Sequence, residues 1–83
     1  MQNDFSNISE DEIQLFYKAV SKKVKYFRKM NHVTQLDLAL DIGIKSVAFY
    51  SNCENNKYGK HFNLEHLYKI SKSLNIHIKD LME

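Results

Sequence analysis

Gly43 is the position that most constrains how this chain can fold. It separates two short helical patterns in a chain with one other glycine and no proline. Before it, Gln35 to Ile42 brings Leu38, Ala39 and Ile42 onto one face by three- and four-residue spacing. Thr34 stands where an N-cap belongs, and Asp37 suits the positive end of the helix dipole. After it, Ser46 is placed to cap a second helix with Tyr50 and Cys53 as its inward pair. Asn56 closes that helix, since asparagine ranks next to glycine in the left-handed conformation. A glycine with positive φ stops the first helix and turns the chain sharply into the second.

Two short helices around such a turn form a helix-turn-helix, whose second helix can enter a DNA major groove. The stretch resembles the Cro/cI-like, or XRE-type, helix-turn-helix of phage and bacterial repressors. The resemblance is carried by Thr34-Gln35, Leu38-Ala39, Gly43-Ile44 followed by Ser46, and Glu54-Asn55-Asn56-Lys57. It extends roughly from Ser21 to Met82. There are two departures: Lys45 is an extra residue in the turn, and Asn56 stands where glycine is commoner. The resemblance implies an all-α, five-helix lambda-repressor-like bundle, here with an N-terminally extended first helix. It implies a sequence-specific regulator of transcription that binds double-stranded DNA, repressor-like, through the helix beginning at Ser46.

Composition agrees with that class. Eighty-three residues, 43% of them hydrophobic, suffice for one small domain with a single modest core. Repeated helical patterns without proline favour an all-α bundle. A single cysteine excludes an internal disulfide framework and suits a reducing cytoplasm. The polar, acidic start does not resemble a signal peptide, and no apolar run approaches the roughly 20 residues needed to span a bilayer. The expectation is a cytoplasmic protein without a membrane segment. Charge is unevenly spread: residues 13–79 hold all twelve Lys/Arg against four acids, a net of +8. A basic body with acidic ends is a reasonable nucleic-acid footprint, although surface lysine also serves solubility.

Residues 1–8 read as a flexible N-terminal arm and 9–83 as the helix-turn-helix domain. Ser9-Glu10-Asp11-Glu12 is a capping-box start. From there Ile13, Phe16, Tyr17, Val20, Val24 and Phe27 recur at helical spacing to about Met30. The family's first helix usually starts nearer Lys18, so Ile13, Phe16 and Tyr17 are surplus apolar surface. They either cap the domain's own core or form a dimer contact. The lysines on the opposite face read as a solvated face. His32 reads as a solvated loop residue. Asn63 is placed to cap a fourth helix with Leu64, Leu67, Ile70, Ser71 and Leu74 as its inward stripe. Leu74-Asn75-Ile76 resembles the family's Leu-Gly-Val break. Ile78 to Met82 reads as a short fifth helix anchored by Ile78, Leu81 and Met82.

The candidate site follows. By the resemblance, Arg28 pairs with Glu54 in an architectural role, and Gln35 contacts the phosphate backbone while supporting the second motif helix. The helix starts at Gln35 and Ser46 offer free N–H groups to phosphate. Counting outward from Tyr50 and Cys53, the groove-facing positions are Val47, Ala48, Ser51 and Asn52. Asn52 suits a bidentate adenine contact, and Val47 and Ala48 suit thymine methyls. Phe49 is ambiguous between core edge and groove. Lys45, Lys57 and Lys60 flank the helix as phosphate grips, and Asn55 does likewise through its backbone. The helix carries no Arg, Lys or Gln, the residues that make the commonest specific base contacts.

Cys53 and the four histidines lack metal-ligand or nucleophile spacing, so no metal, no cofactor and no enzyme is expected. The expected partners are double-stranded DNA and a second copy in a homodimer. The alternative is a protein-interaction module or antitoxin-like subunit of the same fold, with a protein partner at Val47-Ala48-Phe49 and Ile13, Phe16 and Tyr17.

Overall fold

The computed structural model describes residues 7–83. Of the expected arm, residues 1–6 lie outside the described residues, and Asn7 and Ile8 carry no regular secondary structure. The described chain is all-helical: α1 Glu10–Met30, α2 Gln35–Asp41, α3 Val47–Asn55, α4 Leu64–Ser73 and α5 Lys79–Met82, with a 3-10 turn at Lys57–Gly59. Helix α1 packs on α3 and α5, while α2 packs on α3 and α4. Among the described residues no helix is long and apolar enough to cross a membrane.

Local chemistry sets each helix start. The hydroxyls of Ser9, Thr34 and Ser46 accept from the backbone N–H groups of Glu12, Asp37 and Phe49. Only the forward half of the capping box expected at α1 forms, since Glu12 makes no bond back to Ser9. A complete box forms at α4 instead: Asn63 Oδ1 accepts from His66 N–H at 2.8 Å, and Asn63 N–H donates to His66 Nδ1 at 3.1 Å. The helix exits also follow the sequence. Gly43, Asn56 and Asn75 all have positive φ, at 82°, 54° and 57°. His32 and Tyr58 adopt the same region, which histidine visits more often than most residues and which tyrosine does not announce.

Val20, Val24, Leu38, Ala39, Ile42, Tyr50, Cys53, Leu67, Ile70, Leu74 and Leu81 are buried together, and Phe27 packs against them. Two further core residues, Ile44 and Phe62, come from connections rather than helical stripes. Phe62 lies against Tyr50 with ring centroids 5.3 Å apart. Leu64, expected on the inward stripe, is 72% exposed. It is the first residue of α4, and Phe62 already fills the core just ahead of that helix start. Helix α5 is a single turn and buries only Leu81, so Ile78 and Met82 stay exposed instead of anchoring it. The surplus apolar residues of α1 divide. Tyr17 covers the domain by stacking on His61, with centroids 3.7 Å apart, whereas Ile13 and Phe16 remain exposed.

The α4 cap has a pH dependence. His66 sits edge-on to Phe49 and Phe62, and its burial holds the imidazole below its ordinary value, Glu65 pulling it up and Lys69 down. The bond from Asn63 N–H needs Nδ1 unprotonated. Because the folded value lies below the unfolded one, this contribution is full above about pH 6.5 and is lost as pH falls through the folded value. In thermal melts, His66→Gln keeps a capping-box acceptor and is expected to flatten the Tm decline between about pH 7 and about pH 5. An unchanged decline in the variant would remove His66 as its source.

Candidate nucleic-acid interface

The turn of the motif absorbs its extra residue. Ile42 closes α2, Gly43 N–H donates to Leu40 C=O, and Ile44 N–H donates to Ala39 C=O at 2.8 Å. Ile44 is driven into the core while Lys45 points to solvent, and Ser46 still caps α3. The residues between cap and Glu54 therefore keep uninterrupted helical register.

Glu54 holds the interface together. Its carboxylate accepts from Arg28 Nε at 2.9 Å and Nη2 at 3.0 Å, from Tyr50 Oη at 2.7 Å and from Gln35 Nε2 at 3.0 Å. Arg28 Nη1 also donates to the Val33 carbonyl at 2.8 Å, which ties α1 to the connection before α2. One buried carboxylate thus joins α1, α2 and α3. Burial alone would push Glu54 up, but the bonds from Arg28, Tyr50 and Gln35 outweigh it and hold the carboxyl below its ordinary value. The Arg28 guanidinium is raised by its bond to Glu54, and the Tyr50 hydroxyl is raised by burial and by the same carboxylate. Such a pair fixes geometry more surely than it adds stability. Tyr50's part escaped the sequence reading, although its four-residue spacing from Glu54 is the signal that locates it.

Val47 and Ala48 lie exposed in the first turn of α3. Ser51 and Asn52 are half-buried further along, and the Asn52 amide makes no side-chain hydrogen bond among the described residues. Phe49 belongs to the core edge, packed against the buried cluster. Asn55 is occupied within the chain: its Nδ2 donates to the Ser51 carbonyl at 2.9 Å and its Oδ1 accepts from Lys25 Nζ at 3.3 Å. Lys45, Lys57 and Lys60 are exposed and take no part in an ion pair among the described residues. Gln35 is half-buried, with one amide N–H committed to Glu54.

Cys53 is buried beneath α3 and donates to the His61 carbonyl at 3.5 Å; burial raises its thiol, which keeps it an inert small hydrophobe. Among the described residues no group of three or more His, Cys, Asp or Glu is placed to hold a metal ion.

A helix-turn-helix family model matches residues 24–81. The chain belongs to this family, the XRE-type, Cro/cI-like helix-turn-helix of DNA-binding regulators. No curated protein and no solved structure matches it.

Proposed function

We propose that the chain is a repressor-like, sequence-specific regulator that lays α3 in the major groove of double-stranded DNA. The observation that carries this reading is the exposed start of α3, where Val47 and Ala48 stand clear and the Asn52 amide is uncommitted. Asn52 reads adenine, while Val47 and Ala48 meet thymine methyls. Ser46 and Ser51 add hydroxyls at the same surface. Lys45, Lys57 and Lys60 neutralise phosphates on either side, joined by the Asn55 backbone. Gln35 uses one end of its amide to brace Glu54 and turns the other to the DNA backbone.

A second copy completes the reader. Phe16 from α1, Leu64 from α4 and Met82 from α5 line one apolar groove of about 330 Å³. The surplus apolar surface of α1 thus adjoins the exposed Met82 of α5. A homodimer through this groove would present two α3 helices to half-sites about one DNA turn, roughly 34 Å, apart.

Selection of bound sites from random duplex DNA, followed by salt titration and sedimentation of the complex, tests both statements. The expected result is a palindromic site, two chains per site, and affinity that falls steeply with salt. Failure to enrich any sequence, with no salt-dependent binding, would leave the fold serving a protein partner instead.

A further inference from the structure

We infer that the cleft between α1 and the end of α3 is a second phosphate-binding strip, which carries the DNA footprint onto the extended first helix. The inference rests on the DNA-binding reading above and concerns lysines of α1 that the helix-turn-helix motif does not include. The cleft encloses about 230 Å³ and is lined by Lys18, Lys22, Lys25, Glu54, Asn55 and Asn56. Lys18 and Lys22 precede residue 24, where the family match begins.

Spacings of four and three residues place these lysines in one row along α1. The two ion pairs among the described residues are Arg28–Glu54 and Lys69–Glu65, so no acid neutralises the row. Glu54 lies in the cleft wall, but its charge is matched by the Arg28 guanidinium. Lys25 reaches only the neutral Asn55 amide, at 3.3 Å. Like charges at this spacing destabilise a helix slightly, and nothing described within the chain offsets them. An extended polyanion laid along the row would.

The position of the cleft favours duplex DNA as that polyanion. Asn55 and Asn56 run directly into Lys57, one of the lysines beside α3. At 1.5 Å per residue, Lys18 and Lys25 stand about 10 Å apart along α1, room for more than one phosphate of a strand that rises about 3.4 Å per nucleotide. A row of ammonium groups suits a continuous backbone better than a single small anion.

Full-length protein with Lys18→Gln and Lys22→Gln together provides the test, titrated with salt on the selected duplex and on a scrambled one. Lys57→Gln serves as the positive control. A Lys72→Gln, Lys79→Gln pair changes net charge equally but lines no part of the cleft. The expected result is a salt slope lower by about two units in the Lys18, Lys22 variant and nearly unchanged in the Lys72, Lys79 pair. Affinity for both duplexes falls together, so the preference between them is kept. The strip is overturned if Lys57→Gln lowers the slope and the Lys18, Lys22 variant does not, or if the Lys72, Lys79 pair lowers it equally. Wild-type protein that binds no duplex would overturn the DNA-binding reading itself, a different result from wild-type binding with an unaltered slope in the variant.

Discussion

Replacing Glu54 with alanine is expected to destabilise the fold by about 3–5 kcal/mol, because it strips a buried guanidinium of its counter-charge. The same change orphans the hydroxyl of Tyr50, a fully buried residue, and one donor of Gln35. A domain of this size has total stability on the order of 5–10 kcal/mol, so the loss is a large part of the whole. Melting followed by circular dichroism should show Tm falling by more than about 10 °C. Arg28→Met combined with Glu54→Leu should recover part of the loss, since removing both charges leaves neither uncompensated. A pH effect follows from the same network. The folded carboxyl lies below its unfolded value, so its contribution is present above the ordinary carboxylate range, near pH 4.3, and is lost as pH falls through the folded value. The alanine variant should lack that part of the acid transition. A Glu54→Ala protein melting within about 3 °C of wild type would show that the network is dispensable.

Asn52→Ala should weaken the preferred duplex by about 1–3 kcal/mol, roughly 5- to 150-fold, while barely altering binding to scrambled DNA. Asn52 stands four residues after Ala48, on the same flank of α3, and its amide makes no side-chain hydrogen bond among the described residues. Lysine changes should behave differently. Lys45→Gln or Lys57→Gln should weaken all sequences alike and lower the salt slope by about one unit each. Gln35→Ala should resemble the lysine variants with an added stability loss, because Gln35 also donates to Glu54. Competition binding with specific and scrambled duplexes separates the two behaviours. If Asn52→Ala retains full preference for its site, Asn52 does not read a base.

The helix starts and stops were legible because they are local. Thr34, Ser46 and Asn63 cap the helices they precede by bonds that reach three residues along the chain. Gly43, Asn56 and Asn75 take the positive φ for which glycine and asparagine are suited. His32 and Tyr58 take it too, and the tyrosine gave no sign of it. Helical spacing identified most of the core, since one buried face repeats every three or four residues. It misplaced Leu64 and omitted Phe62 and Ile44, because single residues in connections have no period to reveal them.

The order of the helices, their caps and the motif at their centre were therefore written in the sequence, where each depends on neighbours within about one helical turn. Family pattern supplied the nearness of Arg28 and Glu54, which spacing alone does not contain. Only the tertiary structure brought Gln35, from another helix, to the same carboxylate as Tyr50. It also joined Phe16, Leu64 and Met82 in one groove and set Lys18, Lys22 and Lys25 beside the exit of α3. Those juxtapositions depend on how helices cross, and the crossing is decided by packing the whole core at once.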